Sequence, residues 1–119
     1  MINAFLRFVP IRMIAGQMEP VNLNIHLINK FNEPKLVSVI VKIPPSFGFD
    51  KAGIVTEKRE RLGELKPGEE RRLNFPIYGK FGTRPGKYMI EVKILVHKDR
   101  YDKIQNEFKY STELKVIER

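Results

Sequence analysis

Residues 62–75, LGELKPGEERRLNF, decide the fold because they hold a turn between two segments that carry apolar anchors. Pro67 presets the backbone angle φ, and Gly68 accepts the positive φ that a type II turn requires at its third position. Four apolar residues are expected to anchor the turn in a core: Leu62, Leu65, Leu73 and Phe75. The charges between them stay in solvent, so the segment predicts a corner between two sheets rather than a catalytic carboxylate cluster.

Alternation with a period of two residues, the pattern of half-buried strands, dominates the rest of the chain. It occurs in residues 20–29 (PVNLNIHLIN), 88–97 (YMIEVKILVH) and 108–116. Residues 36–43 are almost entirely apolar, which predicts a central strand covered on both sides. Residues 100–108 lack a long apolar stripe and are interpreted as a loop that leads into the last strand.

Proline and glycine mark the boundaries of these strands. Pro76 cannot donate a hydrogen bond to a ladder, so the strand around it is expected at an edge or at a bulge. Residues 84–87 repeat the Pro-Gly signature of a type II turn. A strand every ten to twenty residues with no helix between them predicts an all-β chain. The expected architecture is one immunoglobulin-like domain over residues 1–119, an antiparallel two-sheet sandwich of about seven strands.

Composition limits the location and the partners. The 119 residues fit one domain, and 22 Lys and Arg against 14 Asp and Glu give a net charge of +8, which favours an anionic partner or a merely soluble surface. No apolar run reaches the length of a membrane span, and Arg7, Pro10 and Arg12 interrupt any signal-like region, so a cytoplasmic location is expected. Abundant Lys and Glu beside two glutamines are typical of a thermophilic source.

The order of four segments resembles the CARDB and NEW3 modules of archaeal and bacterial proteins. The segments are AGQMEPVNLNIHLIN (15–29), VSVIVKIPPSFGF (37–49), LGELKPGEERRLNF (62–75) and PGKYMIEVKI (85–94). The resemblance implies an immunoglobulin-like sandwich without disulfides, with a binding or spacer role and no active site. Those modules are typically appended to larger surface or carbohydrate-active proteins, whereas this chain is basic and shows no signal, which argues against extracellular adhesion.

Catalytic and metal-binding patterns are missing from the sequence. His26 and His97 lie at outward positions of alternating strands and are interpreted as solvated. None of the three serines lies in a Gly-x-Ser-x-Gly elbow, and without cysteine there is no thiolate zinc site and no cysteine nucleophile. The sequence therefore predicts a non-enzyme with no catalytic, metal or cofactor-binding residues and no small-molecule substrate.

A row of apolar side chains on the outward parity predicts a surface for another protein or for a second copy, as in a homodimer. The row belongs to strands expected to be neighbours in a C-F-G sheet: Leu36, Ile40, Met89, Leu95 and Ile117. A free edge on the last strand would add main-chain pairing. The alternative is that a loop or the N-terminal segment covers this row.

Nucleic-acid binding is the second functional hypothesis. Arg84, Lys87 and Arg100 lie in turns together with Phe81 and Tyr101, whose rings are of the kind that stacks on bases. Glutamates interrupt most of the basic clusters, so protein contact is the preferred hypothesis.

Overall fold

The computed structural model describes residues 1–118, which contain nine strands and no helix. In chain order the strands are β1 Ile2–Val9, β2 Arg12–Ile14, β3 Val21–Asn29, β4 Lys35–Lys42, β5 Phe47–Gly48, β6 Glu57–Leu65, β7 Glu70–Gly79, β8 Gly86–His97 and β9 Ile104–Ile117. The all-β class is confirmed. Within these residues no helix is long and apolar enough to cross a membrane.

The strands form two sheets, which we name sheet A (β1-β3-β7-β5) and sheet B (β2-β9-β8-β4-β6). Residues 1–118 hold nine strands where about seven were expected, because β2 and β5 are three and two residues long, too short for a period to show in the sequence. The sheets are also not purely antiparallel, since β2 pairs with β9 in parallel. Pro10 and Ile11 alone separate β1 from β2, so the N-terminal stretch contributes to both sheets.

The corner predicted for residues 62–75 joins the two sheets. The strand before the turn, β6, belongs to sheet B, and the strand after it, β7, belongs to sheet A. Gly68 has a φ of 79°, and the amide of Glu69 donates to the carbonyl of Lys66 at 2.9 Å, as in a type II turn. Leu65 and Phe75 are buried on the two sides of the turn. The prediction for this segment is confirmed.

The second Pro-Gly step behaves differently. Gly86 has a φ of 154° and is already the first residue of β8, so residues 84–87 are the start of a strand and not a type II turn. The Tyr88 hydroxyl donates to the Arg84 carbonyl at 2.6 Å and fixes the chain before the strand.

Strand edges were predicted with mixed success. Pro76 lies on a stretch of β7 that pairs with β3 on one side, while on the other side β5 meets only Tyr78 and Gly79. The edge position predicted from Pro76 is therefore confirmed.

The loop predicted at residues 100–108 is wrong, because β9 already begins at Ile104 and runs for 14 residues. Its first four residues are polar or exposed on both faces, which hides the strand from a test of alternation.

One hydrophobic core takes side chains from both sheets. It includes the inward parity of the alternating strands: Leu23, Ile25 and Leu27 of β3, Val37, Val39 and Val41 of β4, and Ile90, Val92, Ile94 and Val96 of β8. β4 lies between β8 and β6 and is buried along most of its length, as its apolar sequence predicted. The side chains of outward parity form the outer face of each sheet, and these two outer faces differ in character.

Candidate functional site

The surface of sheet A that faces away from the core is polar. Strand register sets Phe5, His26 and Arg72 side by side across β1, β3 and β7. The next row of the same face holds Arg7, Asn24 and Asn74. Together these six residues line a half-open groove of about 470 Å³, which we call the polar groove.

The polar groove carries unneutralised positive charge. Glu70 is the one acid on the outward parity of β1, β3 and β7, and its Oε1 lies 2.7 Å from Nε2 of His26. No carboxylate within residues 1–118 forms an ion pair with Arg7 or Arg72. Both guanidinium groups therefore remain available to an anion from outside the chain.

An aromatic ring and amides complete the groove. Phe5 is 55% exposed, and its ring centroid lies 5.9 Å from that of His26. Nδ2 of Asn74 donates to Oδ1 of Asn22 at 3.1 Å, which fixes this amide within the face. The sequence analysis missed this site, because alternation tells which residues face outward but not that Arg7 lies near Arg72.

The outer face of sheet B has a different character, because it carries acids as well as bases and two ion pairs form across neighbouring strands. Nζ of Lys42 lies 3.5 Å from Oε1 of Glu57, and Nζ of Lys93 lies 3.9 Å from Oε1 of Glu107. Exposed ion pairs of this kind contribute little stability, but they neutralise the surface.

Sheet B also has a long open edge. β9 pairs with β8 over its whole length, whereas on its other side β2 meets only Lys115, Val116 and Ile117. Within the described chain, residues 104–113 of β9 therefore have no strand on that side. Alternate backbone N–H and C=O groups of this segment, which we call the open edge, point away from the sheet.

The predicted protein-binding row is only partly a surface. Ile40 and Leu95 lie on the outward parity as expected, but they are 7% and 4% exposed, so the prediction of an exposed hydrophobic pair is wrong. They lie at the base of a shallow pocket that is also lined by Arg61 of β6, Tyr101 of the β8–β9 turn and Ile104 of β9. The other three positions of the row differ in exposure: Met89 is 53% exposed, and Leu36 and Ile117 are half-buried.

The residues predicted to bind nucleic acid do not come together. Phe81, Arg84 and Lys87 lie at the start of β8, while Arg100 and Tyr101 follow its end. A strand of 12 residues separates the two groups by roughly 35–40 Å. The five residues therefore form two separate groups at the two ends of β8, and Phe81 itself is fully exposed.

Tyr101 has a structural role that explains its position. Its hydroxyl accepts a hydrogen bond from the Gly63 amide at 2.9 Å, and its ring lies 4.5 Å from the Arg61 guanidinium and 5.1 Å from the His97 ring. These contacts hold the β8–β9 turn against sheet B. The ring is not free to stack on a base.

His97 is buried, so the interpretation of a solvated histidine is wrong. Its Nε2 lies 2.6 Å from Oγ of Ser38, and burial lowers the pKa of His97, an effect that nearby backbone groups of Lys103 and Tyr101 partly oppose. Nδ1 has no hydrogen-bond partner within residues 1–118. A serine nucleophile needs a base whose second nitrogen is oriented by a third group. Within residues 1–118 this hydrogen-bonded pair has no such third group.

Metal-binding geometry is also missing from the described residues, since no three His, Cys, Asp or Glu side chains of residues 1–118 converge on one point. Asp50 accepts hydrogen bonds from the amides of Ile54 and Val55, so this loop carboxylate serves the backbone of its own turn. The amide of Val55 is the main cause of its lowered pKa.

Comparison with known proteins gives a structural likeness and no family. No protein-family model and no curated protein matches the chain. Among the solved structures that match is the alkylpurine DNA glycosylase AlkC of Pseudomonas fluorescens, bound to DNA containing an abasic site analog. The TM-score is 0.57 at 20% sequence identity, and the match covers 98% of this chain but 30% of that chain. At this identity the likeness describes the fold, and the chain spans about a third of the length of that enzyme.

Proposed function

We propose that this chain is a non-catalytic, immunoglobulin-like interaction module that associates with a second copy of itself through the open edge of β9. The strand order supports the immunoglobulin-like assignment, since β3 and β7 correspond to strands B and E, and β4, β8 and β9 to strands C, F and G. In this assignment the open edge belongs to the C-F-G sheet, and a binding role agrees with what the resemblance to CARDB modules implies.

The observation that carries the proposal is the charge pattern along the open edge. Antiparallel pairing of two copies about a twofold axis through Phe108 sets Glu107 of each copy opposite Lys109 of the other. Both residues lie on the outer face of sheet B, where side chains that directly oppose each other are about 5 Å apart. If the charges of this edge served to prevent self-pairing, pairing of two copies would instead bring like charges opposite each other.

Other registers are less favourable. Side chains pair only with side chains on the same face of the sheet. The twofold axis can therefore move one residue at a time, and each such move changes the opposed partner of every residue by two positions. Moving the axis to Glu107 or to Lys109 opposes two identical charges, and moving it to Tyr110 opposes Glu107 and Glu113. An axis through Ser111 is also complementary, but Glu107 would then need Lys115, whose edge is occupied by β2.

The open edge is long enough for a weak dimer. Pairing of nine residues per strand forms about eight to ten hydrogen bonds between main chains, each with a net contribution of about 1 kcal/mol. The loss of translational and rotational freedom offsets much of this. We therefore expect a dissociation constant on the order of 10–100 µM.

Charge exchange tests the register. Glu107→Lys opposes two lysines and Lys109→Glu opposes two glutamates, so each variant alone should be monomeric. An equimolar mixture should form a heterodimer, because both opposed pairs regain opposite charges. Sedimentation velocity from about 10 µM to 1 mM measures all three samples and the wild type.

Glu57→Lys on β6 is the matched control, because it also removes one exposed ion pair of sheet B but leaves the open edge unchanged. It should dimerise like the wild type. A wild type that stays monomeric at 1 mM would refute self-association. A mixture of the two charge variants that fails to dimerise would refute the register.

A further inference from the structure

We infer that the polar groove of sheet A is a second binding site, and that its ligand is single-stranded nucleic acid. The site lies on the opposite sheet from the open edge of β9, and the inference does not rest on self-association. It uses residues other than the turn residues that the sequence suggested.

The charge of the groove selects an anionic ligand. Arg7 and Arg72 lie on β1 and β7, on either side of β3, with no carboxylate partner within residues 1–118. Two guanidinium groups separated by one strand suit a polymer with repeated phosphates better than a single small anion, since each Arg holds a phosphate through paired N–H groups.

The ring of Phe5 adds a requirement for an unpaired base. It is more than half exposed beside Arg7 on β1, with His26 between it and Arg72, and unstacked bases of single strands gain stability by stacking on such rings. Bases within a duplex are stacked already. The groove spans three strands, about 10 Å across, and the described residues of this face form no helix or ribbon that could enter a major groove.

The amides supply contacts to base edges. Asn24 and Asn74 lie directly opposite each other on β3 and β7, in the same row as Arg7 and two residues along β7 from Arg72. An asparagine amide both donates and accepts, so it can pair with the edge of a base such as adenine. The groove therefore offers all three kinds of contact that a nucleotide requires: phosphate, ring and edge.

Titration of a fluorescently labelled 12-nucleotide single strand, followed by anisotropy, tests the inference. Arg7→Gln with Arg72→Gln should reduce the slope of log affinity against log salt by about 1.4, since each phosphate contact to a single strand contributes about 0.7. The matched control is Arg84→Gln with Lys87→Gln, which removes the same two charges from the +8 total at a distant exposed turn. Its slope should equal that of the wild type.

A pair of phenylalanine variants tests the stacking. Phe5→Ala should weaken binding about tenfold, within the range of one base–aromatic stack. Phe81→Ala should have no effect, although that ring is even more exposed. The same titrations on Glu107→Lys, which disrupts the proposed dimer edge, should give the same ratios between variants, so the two proposals succeed or fail separately.

Three results would overturn the inference: no binding of the oligonucleotide at low salt, equal loss in the Arg84–Lys87 control, or an unchanged affinity of Phe5→Ala. In the last case heparin should compete as strongly as the single strand, and the groove would be a surface for any polyanion. Circular dichroism and thermal unfolding of each variant confirm that the fold is retained, so loss of binding is not loss of structure.

Discussion

The outer faces of the two sheets are built on the same alternation but differ in how their polar groups are satisfied. On sheet B acids and bases are interspersed and form two ion pairs, Lys42–Glu57 and the diagonal pair Lys93–Glu107. On sheet A two arginines and several amides stand beside a single acid. Alternation with a period of two residues determines only which side chains face outward. The cross-strand neighbour determines whether its charge is neutralised within the fold or remains available to a ligand.

The largest expected effect concerns the covered part of sheet B. Ile40→Lys with Leu95→Glu should lower the free energy of unfolding by about 4 kcal/mol or more, because both positions are nearly inaccessible and each would bury a charge. Urea unfolding measures this loss. Met89→Lys is the control on the exposed part of the same face and should change stability by less than about 0.5 kcal/mol. A folded, stable double variant would show that the outer face of sheet B is open.

As the pH is lowered, protonation of His97 should reduce the free energy of unfolding before the carboxylates are protonated. Burial lowers the pKa of His97 below its ordinary value of 6.5, so the unfolded chain takes up this proton first. Its contribution to stability is complete above pH 6.5 and is lost as the pH falls below that value, by up to about 1.4 kcal/mol per pH unit until the lowered pKa is reached.

Denaturant unfolding at pH 7.5 and pH 5.5 measures this effect, with His97→Gln as the variant that lacks the titrating group. The difference between the two pH values should be smaller in the variant. Glu33 and Glu69 have a lowered pKa because of hydrogen bonds from Lys35 and from the Lys66 amide, so their contributions are lost only below about pH 4.5. Equal pH dependence of wild type and variant would contradict the assignment to His97.

The smallest effect is expected for the ion pairs that neutralise sheet B. Lys42→Gln should change the free energy of unfolding by less than about 0.5 kcal/mol, since this pair is half exposed on both sides. Thermal unfolding at low and at high salt measures it. A larger loss would mean that the ion pairs on sheet B hold the sheet together rather than only neutralise it.

The strands whose alternation is clean were predictable from the sequence. β3, β7 and β8 alternate between core and solvent, and Pro67-Gly68 marked the corner between the sheets. The polar groove was not predictable, because Arg7 and Arg72 meet only through the pairing of β1 and β7 with β3. The burial of Ile40 was hidden for a related reason. Parity places its side chain on the outer face, but residues distant in the sequence, such as Tyr101, line the same pocket.

The division of the N-terminal stretch between two sheets has a mechanical consequence. β2 and β9 run in parallel near the two ends of the described chain, joined over Arg12–Lys115, Met13–Val116 and Ile14–Ile117. The chain enters β2 at one end of this ladder and leaves β9 at the other. A tension applied between the start of β2 and the end of β9 therefore shears the ladder, so that its hydrogen bonds carry the load together instead of opening one after another.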